Sequence, residues 1–228
     1  MARLFALPAP TSWAWRPDRA GLEAIVSLLR EQGWVDPQAG HFALRGSDAL
    51  GGYLAGTWRR DEPGASLPML PPRTLRLTLP GRPLDPAAPA TGPLRPGTCC
   101  EVELRLAHVP VVHALPAAGR LPCPRCGADV RAQGPAAGLT AVEQSLDLAA
   151  RGVVLERCPA CAAKLAPAKL AGALDEAGGG VAVLPAPATR FALALEPHAG
   201  VTPTPDLDPD LARGLKRATG VRFRGALG

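Results

Sequence analysis

The chain has 228 residues, a formal charge of +5 and an apolar fraction of 47%, enough to bury a core in one large domain or two small ones. Gly 25 and Pro 27 approach a quarter of the residues, which predicts long irregular connections while staying below the range of a disordered polymer. No window nears the roughly 18 unbroken apolar residues of a membrane span, and Pro8 and Pro10 break the opening apolar run, so neither a membrane span nor a secretory leader is expected.

Arg3 to Leu7 reads as a short opening strand. Pro17-Asp18 then starts a helix through Gln32, with Leu22, Ile25, Val26, Leu28 and Leu29 on one face at helical spacing and Gly33 as its stop. Trp34 packs just beyond it. His41 to Arg45 suggests a strand, and Ser47-Asp48 caps a weaker helix reaching Trp58. After a proline-rich connection, Thr74 to Leu79 alternates strictly, placing Leu75, Leu77 and Leu79 inward. Pro80 to Gly97 is a loop too long for a tight hairpin.

Cys99 to Ala107 alternates again. Cys100, Val102, Leu104 and Leu106 form the core face, and Cys99, Glu101, Glu103 and Arg105 the wet face. Phe191, Leu193 and Leu195 repeat the pattern, with Ala192, Ala194 and Glu196 opposite. Strands with one wet face are the mark of an antiparallel sheet. Further short helices are expected at Thr140 to Ala150 and at Lys169 to Ala177, the second stopped by Gly178-Gly179-Gly180. Val153 to Leu155 reads as a strand between them. Pro209 to Thr219 forms the closing helix, with Asp208 as N-cap and Gly220 as stop, and Val221 to Phe223 docks back as a last short strand or tail.

Cys123-Pro124-Arg125-Cys126-Gly127 and Cys158-Pro159-Ala160-Cys161 carry the clearest chemistry. Two residues between cysteines let one tight turn aim both sulfurs at an ion, and two such knuckles supply four tetrahedral ligands. Proline stiffens each turn, and Gly127 allows positive φ after the first pair. Two disulfides, four unrelated thiols and a rubredoxin-like iron centre are the competing readings. The length and missing leader speak against a disulfide framework, and the lack of Phe, Tyr or Trp from Leu121 to Pro167 speaks against the iron centre. Cys123, Cys126, Cys158 and Cys161 are therefore expected to hold a structural zinc in a cytoplasmic protein. Four protein ligands leave no open position for water or substrate.

The remaining motifs have plainer readings. Cys99, Cys100, His108 and His113 could be imagined as a second metal site, but buried cysteine is common without any chemistry. Glu101 and Glu103 share a strand face about 7 Å apart, where paired carboxylates are usually solvated. There is no G-x-S-x-G elbow, Walker A loop or H-E-x-x-H, so the chain does not read as an enzyme. Arg213, Lys216, Arg217, Arg222 and Arg224 form the one local basic cluster, and at a helix C-terminus they complement the dipole. Arg125, Arg131, Arg157 and Lys164 lie near the knuckles without the aromatic residues that stack single strands. Nucleic-acid binding is thus the alternative, behind binding to another protein. Trp13 and Trp15, between Pro10 and Pro17, are the candidate anchors of that surface, one of them expected to be partly exposed.

The paired knuckles resemble those of zinc ribbons over about 45 residues, a likeness specific for metal only. They also resemble the bacterial double-CxxCG family, which is assigned to immunity partners of secreted toxins. The second likeness extends to the closing helix that runs into Gly220-Val221-Arg222-Phe223-Arg224, and it implies a non-enzymatic immunity-type function. This chain departs from that pattern where Ala162 follows Cys161. The expected architecture is α+β: an antiparallel sheet with flanking helices and an inserted zinc-ribbon-like subdomain at residues 121–166, between an N-terminal portion at 1–120 and a completing segment at 167–228.

Overall fold

The sequence rules of capping and alternation produce most of the framework. The computed structural model describes residues 2–37, 74–113, 120–130, 152–153, 157–158, 160–166, 169–175, 181–185 and 187–228. Helix α1, Arg19–Glu31, begins where the Asp18 carboxylate accepts the Gly21 N–H and ends before Gly33, whose φ is 76°. Helix α2, Pro209–Thr219, begins where Asp208 accepts from the N–H groups of Asp210 and Leu211, and ends at left-handed Gly220. Both helices answer the sequence expectation because their signals are local. Among the described residues no helix is long and apolar enough to cross a membrane.

The strands are β1 (Leu4–Pro8), β2 (Thr74–Pro80), β3 (Thr91–Gly92), β4 (Cys99–Val112), β5 (Gly152–Val153), β6 (Ala171–Asp175), β7 (Val181–Pro185), β8 (Ala188–Pro197), β9 (Thr202–Pro203) and β10 (Phe223–Leu227). The main sheet runs β10-β1-β8-β4-β2, with β5 added on β4, and every pairing is antiparallel. The chain ends pair with each other, from Leu4 opposite Leu227 to Pro8 opposite Phe223. Inside the expected loop, β3 pairs with β9 in parallel.

One face of the sheet carries the main core. Leu4, Leu79, Val102, Leu104, Leu106, Phe191, Leu193 and Leu195 pack there with Leu22, Ile25, Leu29, Leu211 and Leu215 of the two helices. Gly214 lets the helices approach closely, because a Cβ there would stand 2.6 Å from Leu28 Cδ1. The other face is also buried around Phe5, Leu7, Ala192 and Ala194, which corrects the expectation of a wet face. Glu103 and Arg105 are each only 5% exposed. They pair with each other, Arg105 Nε donating to Glu103 Oε1 at 2.8 Å, and the Arg105 guanidinium lies 4.9 Å from the Phe5 ring centroid. Arg3 joins them, 3.5 Å from Glu103 and ion-paired to Glu196.

Two further expectations are corrected. Cys99 is buried in the core and Cys100 is exposed, the reverse of the simple alternation. Cys99 sits opposite Pro197 while Glu101 sits opposite Glu196, so Cys100 is one extra residue on β4 and the bulge flips the two side chains. The second correction is the helix expected from Lys169 to Ala177. Ala171–Asp175 is instead strand β6, fully paired with β7, and Ala173 also exchanges both backbone bonds with Arg120 at 2.7 and 2.8 Å. A segment this short gains little from isolated helix formation, whereas the pairing satisfies its backbone on both sides. The strand at 41–45 and the helices at 47–58 and 140–150 lie outside the described residues.

Candidate metal centre

The four knuckle cysteines lie between β4 and β8, which are neighbours in the sheet. In the first knuckle Cys123 N–H donates to Ala128 O at 2.8 Å, and Gly127 N–H donates to Cys123 O at 2.9 Å. Pro122 and Asp129 close a bridge around it, and the Arg125 N–H points at Cys123 Sγ at 3.4 Å. The second knuckle repeats this position by position. Cys158 N–H donates to Ala163 O at 2.8 Å, Ala162 N–H donates to Cys158 O at 2.8 Å, and Arg157 and Lys164 close the bridge. The turn demands a left-handed residue after the second cysteine. Gly127 supplies it at φ 73°, and Ala162 is forced to φ 55°.

The turns bring the sulfurs together. Cys123 Sγ lies 3.8 Å from Cys161 Sγ, and Cys126 Sγ lies 3.8 Å from Cys158 Sγ. All four ligand atoms fall within 4.8 Å of one another. A tetrahedral ion with metal–sulfur bonds of about 2.3 Å has sulfur–sulfur edges of about 3.8 Å, so the cluster has the size such an ion requires. Cys123 and Cys158 are buried, Cys161 is half-buried and Cys126 is exposed. Val112, Leu121, Val130, Leu165, Leu170 and Ala188 pack with the buried pair as a second core, distinct from the main one among the described residues.

The electrostatics of the sulfurs point the same way. Backbone N–H groups of Arg125 and Cys126 stabilise the Cys123 thiolate and hold its pKa down to about 7. At Cys126 the Ala128 N–H also favours the thiolate, but the Cys161 sulfur, desolvation and the other two sulfurs outweigh it and push the thiol up to about 12. Four sulfurs this close cannot all ionise without a cation, so metal would enter by displacing protons.

Elsewhere the candidate residues disperse. Cys99 is enclosed by the main core, and burial, with Cys100 next, pushes its pKa up to about 12. Cys100 faces the carbonyls of Glu196 and Pro197 at 3.5 and 3.4 Å, and burial followed by the Glu196 charge raises its pKa also. His113 is buried with Nε2 3.3 Å from Thr189 O, and the His108 side chain lies outside the described residues. Among the described residues the knuckle cysteines are the one group of metal-ligating type. Trp13 and Trp15 are both half-buried, yet Trp15 makes edge contacts with Phe191 at 5.4 Å and Phe223 at 5.9 Å. It is a core residue. Arg213, Lys216, Arg217 and Arg222 are exposed, and Arg213 is ion-paired with Asp210. The strain at Ala162 was visible in sequence only as the missing second glycine, while the Arg120–Ala173 connection had no local signal.

No family model matches this sequence, and no curated protein or solved structure matches it at a significant level.

Proposed function

We propose that this protein is a zinc-stabilised, non-enzymatic binding module of the cytoplasm whose partner is another protein. One observation carries the metal part: four cysteine sulfurs lie within 4.8 Å of one another, with two cross-knuckle pairs at the edge length of a tetrahedral thiolate site. Thiolates suit zinc over harder ions, and four of them close the coordination sphere, leaving a structural role. A shared cluster of reduced cysteines suits a reducing compartment.

The hairpin β6–β7 supports a protein partner. It is joined to the first knuckle through Arg120 and Ala173 and presents Val181 and Val183 at 55% and 71% exposure. Exposed β-branched side chains suit an apolar protein surface better than phosphate. An immunity-type inhibitor is the concrete version suggested by the resemblance to double-CxxCG proteins. Nucleic-acid binding is the second reading, favoured by the exposure of Arg125, Arg157 and Lys164 around the sulfurs, and a catalytic role comes third.

Elemental analysis of freshly purified, reduced protein should find one zinc per chain, and its absence would remove the reading. Binding to labelled DNA or RNA separates the two partner classes, because phosphate contacts weaken steeply with salt. Only weak, salt-erased association is expected. Tight binding at physiological salt would put nucleic acid first.

A further inference from the structure

We infer that the metal centre opens at its second knuckle, with Cys161 the first sulfur surrendered. This rests on the zinc reading above. The two knuckles share one hydrogen-bond scheme but differ at the residue after the second cysteine, which is Gly127 in one and Ala162 in the other. Ala162 is the one non-glycine residue at positive φ among the described residues, at 55°. For an L-residue the Cβ then crowds the following carbonyl, which disfavours the conformation by a factor of about 5 to 30.

Metal holds the second turn in this conformation, and release of Cys161 lets Ala162 relax. Gly127, at φ 73°, gains nothing comparable when the first turn opens. Each turn has a further tie, Val130 N–H on Leu121 O at 3.0 Å in the first and the Arg157 guanidinium on Ala162 O at 3.3 Å in the second, so what distinguishes them is the residue at positive φ. Exposure argues for the opposite order, since Cys126 is exposed and Cys161 only half-exposed. Strain and exposure therefore rank the two sulfurs differently. When Cys161 leaves, its metal–sulfur bond breaks, the sulfur keeps the electron pair and takes a proton, and water or a chelator occupies the freed position. Such a centre yields zinc to a competing ligand without unfolding the main sheet.

The test uses the full chain loaded with zinc and challenged with a chromogenic chelator. Pulses of isotope-coded N-ethylmaleimide record which cysteine is freed first. Cys161 should label ahead of Cys126 in the wild type, and Ala162→Gly should slow zinc release about fivefold or more. A Cβ at Gly127 would meet nothing within 4 Å, so Gly127→Ala changes conformation alone. The double variant Gly127→Ala with Ala162→Gly should reverse the labelling order. Labelling of Cys126 first or together with Cys161, or an unchanged release rate in Ala162→Gly, overturns the inference while zinc binding stands. A wild type that takes up no zinc overturns both.

Discussion

Arg105 Nε donates to Glu103 Oε1 at 2.8 Å, two residues along the same strand, on a sheet face where each residue is 5% exposed. The Arg105 guanidinium lies over the Phe5 ring, and Arg3, just before β1, joins the pair. A charge left behind here has little water to replace its partner. Glu103→Ala should therefore destabilise the protein by about 3–5 kcal/mol. Replacing both residues with Leu should cost less than this single change, because the buried cation is removed together with its carboxylate. Denaturant unfolding of the three proteins measures the difference, and equal losses for single and double variants would contradict it.

Cys99 supplies a pH prediction. Burial raises its pKa from the ordinary 9.0 to about 12, so the folded protein keeps the thiol protonated where the unfolded chain ionises. The stability from this group is complete below pH 9 and is lost as pH rises toward 12. The loss between pH 8 and 10.5 should be about 2 kcal/mol. Cys99→Ala will be less stable at pH 8 because it leaves a small cavity. Its deficit should shrink at the higher pH, as read from unfolding curves at both values.

Metal removal should divide the molecule. Among the described residues the main core and the core around the sulfurs are separate clusters, so they need not unfold together. Cys126→Ser should lower the zinc content and raise amide exchange in residues 121–130 and 157–166. Exchange in α1 and β1, which contribute nothing to the core around the sulfurs among the described residues, should change little. Equal loss of protection throughout would show that the two cores are one cooperative unit.

Trp15 packs edge-on against Phe191 and Phe223, which ties the approach to α1 to the sheet and to the chain end. Trp15→Ala should cost about 3 kcal/mol or more in stability. Among the described residues Trp13 does not enter that cluster, so Trp13→Ala should lower the melting temperature less than Trp15→Ala. Loss of partner capture by folded Trp13→Ala would assign it to the binding surface. Equal capture would place the anchors elsewhere, with Val181 and Val183 next to be changed.

The features legible in the sequence by itself were those whose causes are local. Asp18, Gly33, Asp208 and Gly220 act within one turn of the chain and bounded both helices. The alternation of Leu77 with Leu79, and of Phe191 with Leu193 and Leu195, identified strands because a strand's period is two. The C-x-x-C spacing picked out the four cysteines that could hold a metal because both sulfurs of a pair leave one turn. Tertiary structure decided whatever depends on a distant partner. A bulge opposite Pro197 and Glu196 reversed Cys99 and Cys100. Pairing with β7 and Arg120 made a strand of Ala171–Asp175, and burial of the second sheet face turned Glu103 and Arg105 from solvated charges into a buried pair. Sequence spacing announced two knuckles, but only the fold could bring Cys123 to Cys161 and Cys126 to Cys158, since that convergence is made by long-range pairing and packing.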